Sequence, residues 1–182
     1  MQTYISMLRG INLGSKQVPM TSLKELYEGL RFKEVITYIQ SGNVIFRATG
    51  RENSTDLCAG IEKAIHKKYH FEVPVIIRTR AEMKAAIAAN PFLHKKGINP
   101  EKLHVTFLAE EPGQTQVAHL CAVNHAPDEF VLSGKEIYLH CPNGYGISKL
   151  SNNFFENKLK VKATTRNWKT VNKLAELAES VG

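Results

Sequence analysis

The sequence predicts an α+β protein made of two similar halves, and three observations carry that prediction. First, Thr37 to Phe46 reads as a tight β-hairpin, because β-branched and aromatic residues flank the polar pair Ser41-Gly42. Second, the pattern returns about half a chain later, where Phe130 to Tyr138 flank Ser133-Gly134. Third, a chain of 182 residues, 43% of them hydrophobic, is long enough for one large domain or two small ones and too apolar for a disordered segment.

The elements follow in order. Thr3 to Arg9 is a first strand, and the glycine-punctuated run from Arg9 to Lys16 is a loop. Ser22 with Glu25 makes a capping box, and Leu23, Leu26, Tyr27 and Leu30 recur at helical spacing, so a helix is expected over 21–30. Val35 to Gln40 and Asn43 to Arg47 are the hairpin strands. Asn53, Ser54 and Asp56 open a second helix with Leu57, Ile61, Ala64 and Ile65 on one stripe, and Val73 to Arg78 is a β-branched strand. The order is β-α-β-β-α-β, the ferredoxin-like unit, over residues 1–79.

Thr79 with Glu82 then caps an alanine-rich linking helix, which ends at Asn90-Pro91 because the residue before a proline leaves the helical region. Residues 80–101 are therefore expected to join two ferredoxin-like subdomains, the second spanning 102–182. In that half the strands are Leu103 to Leu108, Glu129 to Leu132, Glu136 to His140 and a short Val161 to Thr164; the helices are Thr115 to Val123, Lys149 to Leu159 and Asn167 to Ser180.

The net charge of +7 favours anionic partners. No charged and apolar leader opens the chain, and no run approaches the ~18 apolar residues of a membrane span. Cys58, Cys121 and Cys141 are odd in number and scattered, which fits reduced thiols rather than a disulfide framework. A cytoplasmic protein away from membranes is expected.

Crossover handedness makes the first two strands of the first half parallel, and by the same argument the third and fourth strands of the second half, so the ends of each pair share one edge of the sheet. In the first half this brings Arg9 and Asn12 beside Gln40, Ser41 and Asn43: a guanidinium, three amides and a hydroxyl suited to a polar, anionic ligand. The competing reading gives Asn12 and the glycines to turn geometry and Arg9 to a local carboxylate. In the second half, the loop holding Gly144, Gly146, Ser148 and Lys149 should meet the segment with Arg166, Asn167 and Trp168. Both are expected to lead into helix N-termini, where unpaired N–H groups favour an anion and Trp168 offers a stacking face. Ser148 and Asn167 serve equally well as plain N-caps. Lys158, Lys160, Lys162, Arg166, Lys169 and Lys173 face one acid, Glu156, which makes either a solvated face or a strip for phosphates.

Four stretches together carry a family resemblance: Leu8 to Gly14, Thr37 to Val44, Asn143 to Gly146 with Ser148 to Leu150, and Ala163 to Trp168. With them the chain closely resembles the bacterial domain of unknown function 1697 family over essentially its whole length. The resemblance implies two ferredoxin-like subdomains in a small cytoplasmic protein, and brings no activity, cofactor or catalytic set.

Other chemistry is less favoured. His140 and Cys141 are neighbours on a strand and point to opposite faces, so with Cys121 and His125 they do not readily share a metal ion, and no metal site is expected. Glu110-Glu111 read as solubilising acids, and Tyr4 and Phe46, the only aromatics placed for base stacking, read as packing residues. Three functions stand: a binder of a phosphate-bearing small molecule such as a nucleotide, an RNA-binding protein, or an enzyme acting on a phosphorylated substrate.

Overall fold

A computed structural model describes residues 1–182. The chain is α+β, with two four-stranded antiparallel sheets and six α-helices. It divides into two compact units, Met1–Ala85 with Lys173–Gly182, and Ala86–Asn172. The last ten residues thus group with the first unit rather than with the second half of the sequence.

In the first unit, β1 (Gln2–Leu8), β2 (Lys33–Tyr38), β3 (Asn43–Ala48) and β4 (Val75–Thr79) are ordered β2-β3-β1-β4, with every neighbouring pair antiparallel. The helices α1 (Met20–Gly29) and α2 (Ser54–Tyr69) cover one face. Strand alternation supplies Tyr4, Leu8, Val44, Phe46, Val75 and Ile77 to that core, and the helices add Leu23, Tyr27, Ile61 and Ile65. Phe46 stacks on Phe32 at 4.4 Å and meets Tyr27 edge-on at 5.4 Å, so its ring belongs to the core and not to a stacking platform. Tyr27 keeps a polar partner there, its hydroxyl lying 2.8 Å from Ser6 Oγ, and burial pushes its pKa well up. The opposite face, with Ile5, Met7, Ile45 and Ile76, is buried as well.

The second unit repeats the plan. β5 (Leu103–Leu108), β6 (Glu129–Ser133), β7 (Glu136–His140) and β8 (Ala163–Asn167) are ordered β6-β7-β5-β8, all antiparallel. α4 (Gln114–Cys121) and α5 (Asn152–Leu159) cover the face bearing Leu108, Ile137, Leu139 and Ala163. The remaining helices are α3 (Arg80–Ala88) and α6 (Trp168–Ser180).

Equivalent hydrogen bonds recur in both units. The Leu8 N–H donates to Gly42 O and the Leu108 N–H to Lys135 O, each at 2.8 Å. Arg9 N–H meets Pro74 O and Ala109 N–H meets Lys162 O, each at 2.9 Å. Glu62 accepts the Val75 N–H at 2.8 Å, and Glu156 accepts the Ala163 N–H at 3.0 Å. These bonds set Gly42 over Lys135, so the Ser-Gly pairs of the two hairpins match one residue out of step.

Four expectations need correction. The first hairpin does not turn on two residues: β2 ends at Tyr38, and residues 39–42 make the turn. Ser22 caps nothing; α1 starts at Met20 behind Pro19, and Ser22 Oγ instead accepts the Tyr69 hydroxyl at 2.8 Å. α5 begins at Asn152, capped by Ser151, so Lys149 lies ahead of it. β8 runs to Asn167, paired with His104, so Arg166 and Asn167 are strand rather than loop.

Candidate functional site

The edge where β1 ends and the first hairpin turns is assembled around Asn12. Its backbone is left-handed (φ 55°), a conformation asparagine tolerates. Its Nδ2 donates to Gln40 O at 2.7 Å, and its Oδ1 accepts the Val18 N–H at 2.7 Å. One side chain thereby ties both ends of the loop to the hairpin. Asn43 closes the turn from below, donating to Tyr38 O at 3.1 Å and Ser41 Oγ at 3.0 Å. Gly42 (φ 78°) lies against the loop so closely that a Cβ would stand 2.5 Å from Ile11 Cδ1. The five residues expected at this edge, Arg9, Asn12, Gln40, Ser41 and Asn43, are therefore on one edge, with Asn43 buried and Gln40 and Ser41 exposed.

Two further residues there were not anticipated. Leu13 is 72% exposed and Ile39 is 47% exposed. Ile39 also sits at φ 50°, where a β-branched side chain is strained. Nothing in the periodicity marks either one: Ile39 reads as the last strand residue until the turn is seen to take four residues. Lys16 borders the edge, its Nζ donating to Glu72 O at 2.8 Å.

The second expected cluster comes together but is not an open site: Tyr145 of the glycine loop stacks on His104, which pairs with Asn167, and acts electrostatically on Arg166. Arg166 is buried, its Nη1 donating to Thr164 Oγ1 at 2.8 Å and Thr165 O at 2.9 Å. Burial lowers its pKa to about 10. Trp168 is 9% exposed and offers no stacking face. Asn167 caps α6, accepting the Thr170 N–H at 2.8 Å. Gly144 and Gly146 lie in and beside a short 3-10 turn, Tyr145–Ile147, well ahead of α5. Ser148 donates to Asp128 Oδ2 at 2.7 Å. Gly146, Lys149 and Asn167 stay exposed, and Lys149 lines a cavity with His125 and Asp128 from the α4–β6 connection. Sequence reading passed over Asp128, since no local spacing links it to Ser148.

Apart from Glu129 and Glu179, exposed carboxylates lowered by their bonds to Lys95 and Lys84, the groups whose pKa values are displaced furthest are packed ones. Burial pushes Cys58 up to about 11 and Tyr138 up to about 12. It also lowers that of His104, which stacks on Tyr145 at 4.6 Å. Of the six cations in the expected basic strip, Lys158, Lys160, Lys162 and Lys169 are exposed, while Lys173 pairs with Glu176 at 2.6 Å.

A family model described as "Protein of unknown function (DUF1697)" matches residues 1–138. The match takes in the two N-terminal stretches of the resemblance and leaves the two C-terminal ones outside. None of the curated proteins compared with the chain matches it. A solved structure of a conserved bacterial protein from Streptococcus pneumoniae is similar, with a TM-score of 0.79 at 20% identity over 98% of this chain and 99% of that one. At that identity the likeness concerns the fold. No helix is long and apolar enough to cross a membrane.

Proposed function

The chain belongs to DUF1697, a family described as of unknown function, and we propose from the site alone that it binds an anionic, phosphate-bearing small molecule, such as a nucleotide, at the edge made by residues 9–13 and 38–43. The observation that carries this reading is a contrast between the units. The β1–α1 connection runs over 9–19, where β5–α4 needs only 109–113; the β2–β3 turn spans 39–42, where β6–β7 needs only 134–135. The same plan closes with shorter loops in the second unit, so the extra length goes beyond what the plan itself calls for, although Ile11 and Val18 of the longer loop are buried in the first unit's core. Both additions collect at one edge, beside Arg9, and Asn12 joins them to each other.

The chemistry supports an anion with an apolar part. Arg9 brings a guanidinium, Gln40 and Ser41 bring directional polar groups, and Leu13 and Ile39 bring aliphatic surface. The strained, exposed Ile39 supports a binding role, because strain of this kind tends to collect at functional positions. On the same reading each unit is a ferredoxin-like plait arisen by duplication, α3 links the two, and the protein works in the cytoplasm.

A thermal-shift screen of nucleotides, sugar phosphates and short RNA tests the proposal, since any ligand favouring the native state raises the melting temperature. A phosphate compound should stabilise the wild type, and Gln40→Ala with Ser41→Ala should reduce the effect. The exposed lysines Lys158 on α5, Lys160 and Lys162 in the α5–β8 connection and Lys169 on α6 favour RNA as a second reading; stabilisation by RNA alone, lost steeply with added salt and insensitive to Gln40→Ala, would select it.

A further inference from the structure

Comparing the units leaves a second place where extra chain collects, in the second unit at the other end of its sheet. The α4–β6 connection runs over 122–128, where the first unit needs 30–32, and the β7–α5 connection runs over 141–151, where the first unit needs 49–53. These two lengthened segments line a cavity of about 410 Å³. They are fastened to each other by the Ser148–Asp128 bond at 2.7 Å, and Ser148 Oγ also accepts the Leu150 N–H at 3.0 Å.

The lining is mixed in a specific way. Asp128 brings a carboxylate, with Oδ2 taken by Ser148, and Lys149 brings an ammonium. Asn143 adds an amide, and His125 adds an imidazole held edge-on to Phe154 at 4.9 Å, its Nε2 buried without a hydrogen bond in the chain. Val123, 38% exposed, and Ile147, 78% exposed, supply aliphatic surface.

The geometry points to a site for a small zwitterion, an α-amino acid or dipeptide, whose carboxylate faces Lys149, whose amine faces Asp128 and whose side chain lies along Val123 and Ile147. A ligand with one charge would desolvate one lining charge without giving it a partner, which is costly. A phosphate-bearing anion would meet the Asp128 carboxylate as a like charge. The volume lies in the lower part of the usual range for small-molecule pockets, as an amino acid or dipeptide requires. This site is separate from the phosphate edge and stands whether or not that proposal holds.

The test is a calorimetric titration of the full chain with leucine, methionine and dileucine, alongside 3-methylbutylamine and 4-methylpentanoate, which each keep one charge. At least one zwitterion should bind, with the singly charged analogues at least tenfold weaker. Lys149→Gln and Asp128→Asn should each weaken binding at least tenfold. The asparagine keeps an acceptor for Ser148, and circular dichroism checks its fold; if Asp128→Asn does not fold, the exposed Lys149→Gln decides alone. Absence of binding by all three zwitterions, equal binding of the amine or the acid, or unchanged affinity in Lys149→Gln would overturn the proposal.

Discussion

One methyl group separates the roles of the two hairpin glycines. Both have positive φ, 78° at Gly42 and 58° at Gly134, but only Gly42 has neighbours within reach of a Cβ. Gly42→Ala should therefore add overpacking against Ile11 to backbone strain and destabilise by about 2–4 kcal/mol, whereas Gly134→Ala should cost only about 1–2 kcal/mol in chemical denaturation. Ile39 runs the other way. Asparagine tolerates the left-handed region, so Ile39→Asn should stabilise the fold by about 1 kcal/mol while weakening the proposed ligand. His104 gives a pH signature. Burial lowers its folded pKa, so the unfolded chain binds the extra proton. Its contribution is complete above the ordinary imidazole pKa of about 6.5 and is lost as the pH falls through the lower folded value. Denaturant midpoints at neutral and mildly acid pH should diverge less in His104→Phe, which keeps a ring against Tyr145.

Elements were legible wherever a local signal matched the final hydrogen bonds. Thr79 and Glu82 form the reciprocal capping box their spacing announces, with bonds of 2.7 and 3.1 Å, and Asn53 caps α2 through the Asp56 N–H at 2.9 Å. Thr79→Ala should cost about 1 kcal/mol, read by denaturation. Ser22 and Glu25 have the same spacing and form no such box, because burial of Leu23, Leu26 and Tyr27 sets where α1 lies, and Pro19 precedes it. The end of β8 was hidden for a different reason: pairing with β5 out to His104 extends it beyond the β-branched run. That extension takes Arg166 out of a loop and buries it, so the second expected cluster, although Tyr145 of the glycine loop still reaches Arg166, presents no open guanidinium. In the first cluster, chain direction alone was enough to bring the Arg9 loop to the Gln40 turn, since β1 and β2 each run antiparallel to β3. The partnership of Ser148 with Asp128 is a tertiary contact between two irregular segments, and no periodic pattern encodes it.

For the whole molecule, the repeated plan supplies its own control. Where the units agree, as in the Glu62 and Glu156 bonds to their fourth strands, the residues serve the fold. Where one unit carries longer loops than the other, the extra chain gathers polar and exposed aliphatic side chains at one end of that unit's sheet. The most direct test follows the backbone amide NMR signals of the full chain while a phosphate compound that raises the melting temperature is added. The amides of residues 9–13 and 38–43 should move together and saturate with one binding constant, and the movement should be reduced in Gln40→Ala. Saturable shifts confined to the segment of Lys158, Lys160, Lys162 and Lys169, with residues 9–13 and 38–43 unmoved, would contradict the account.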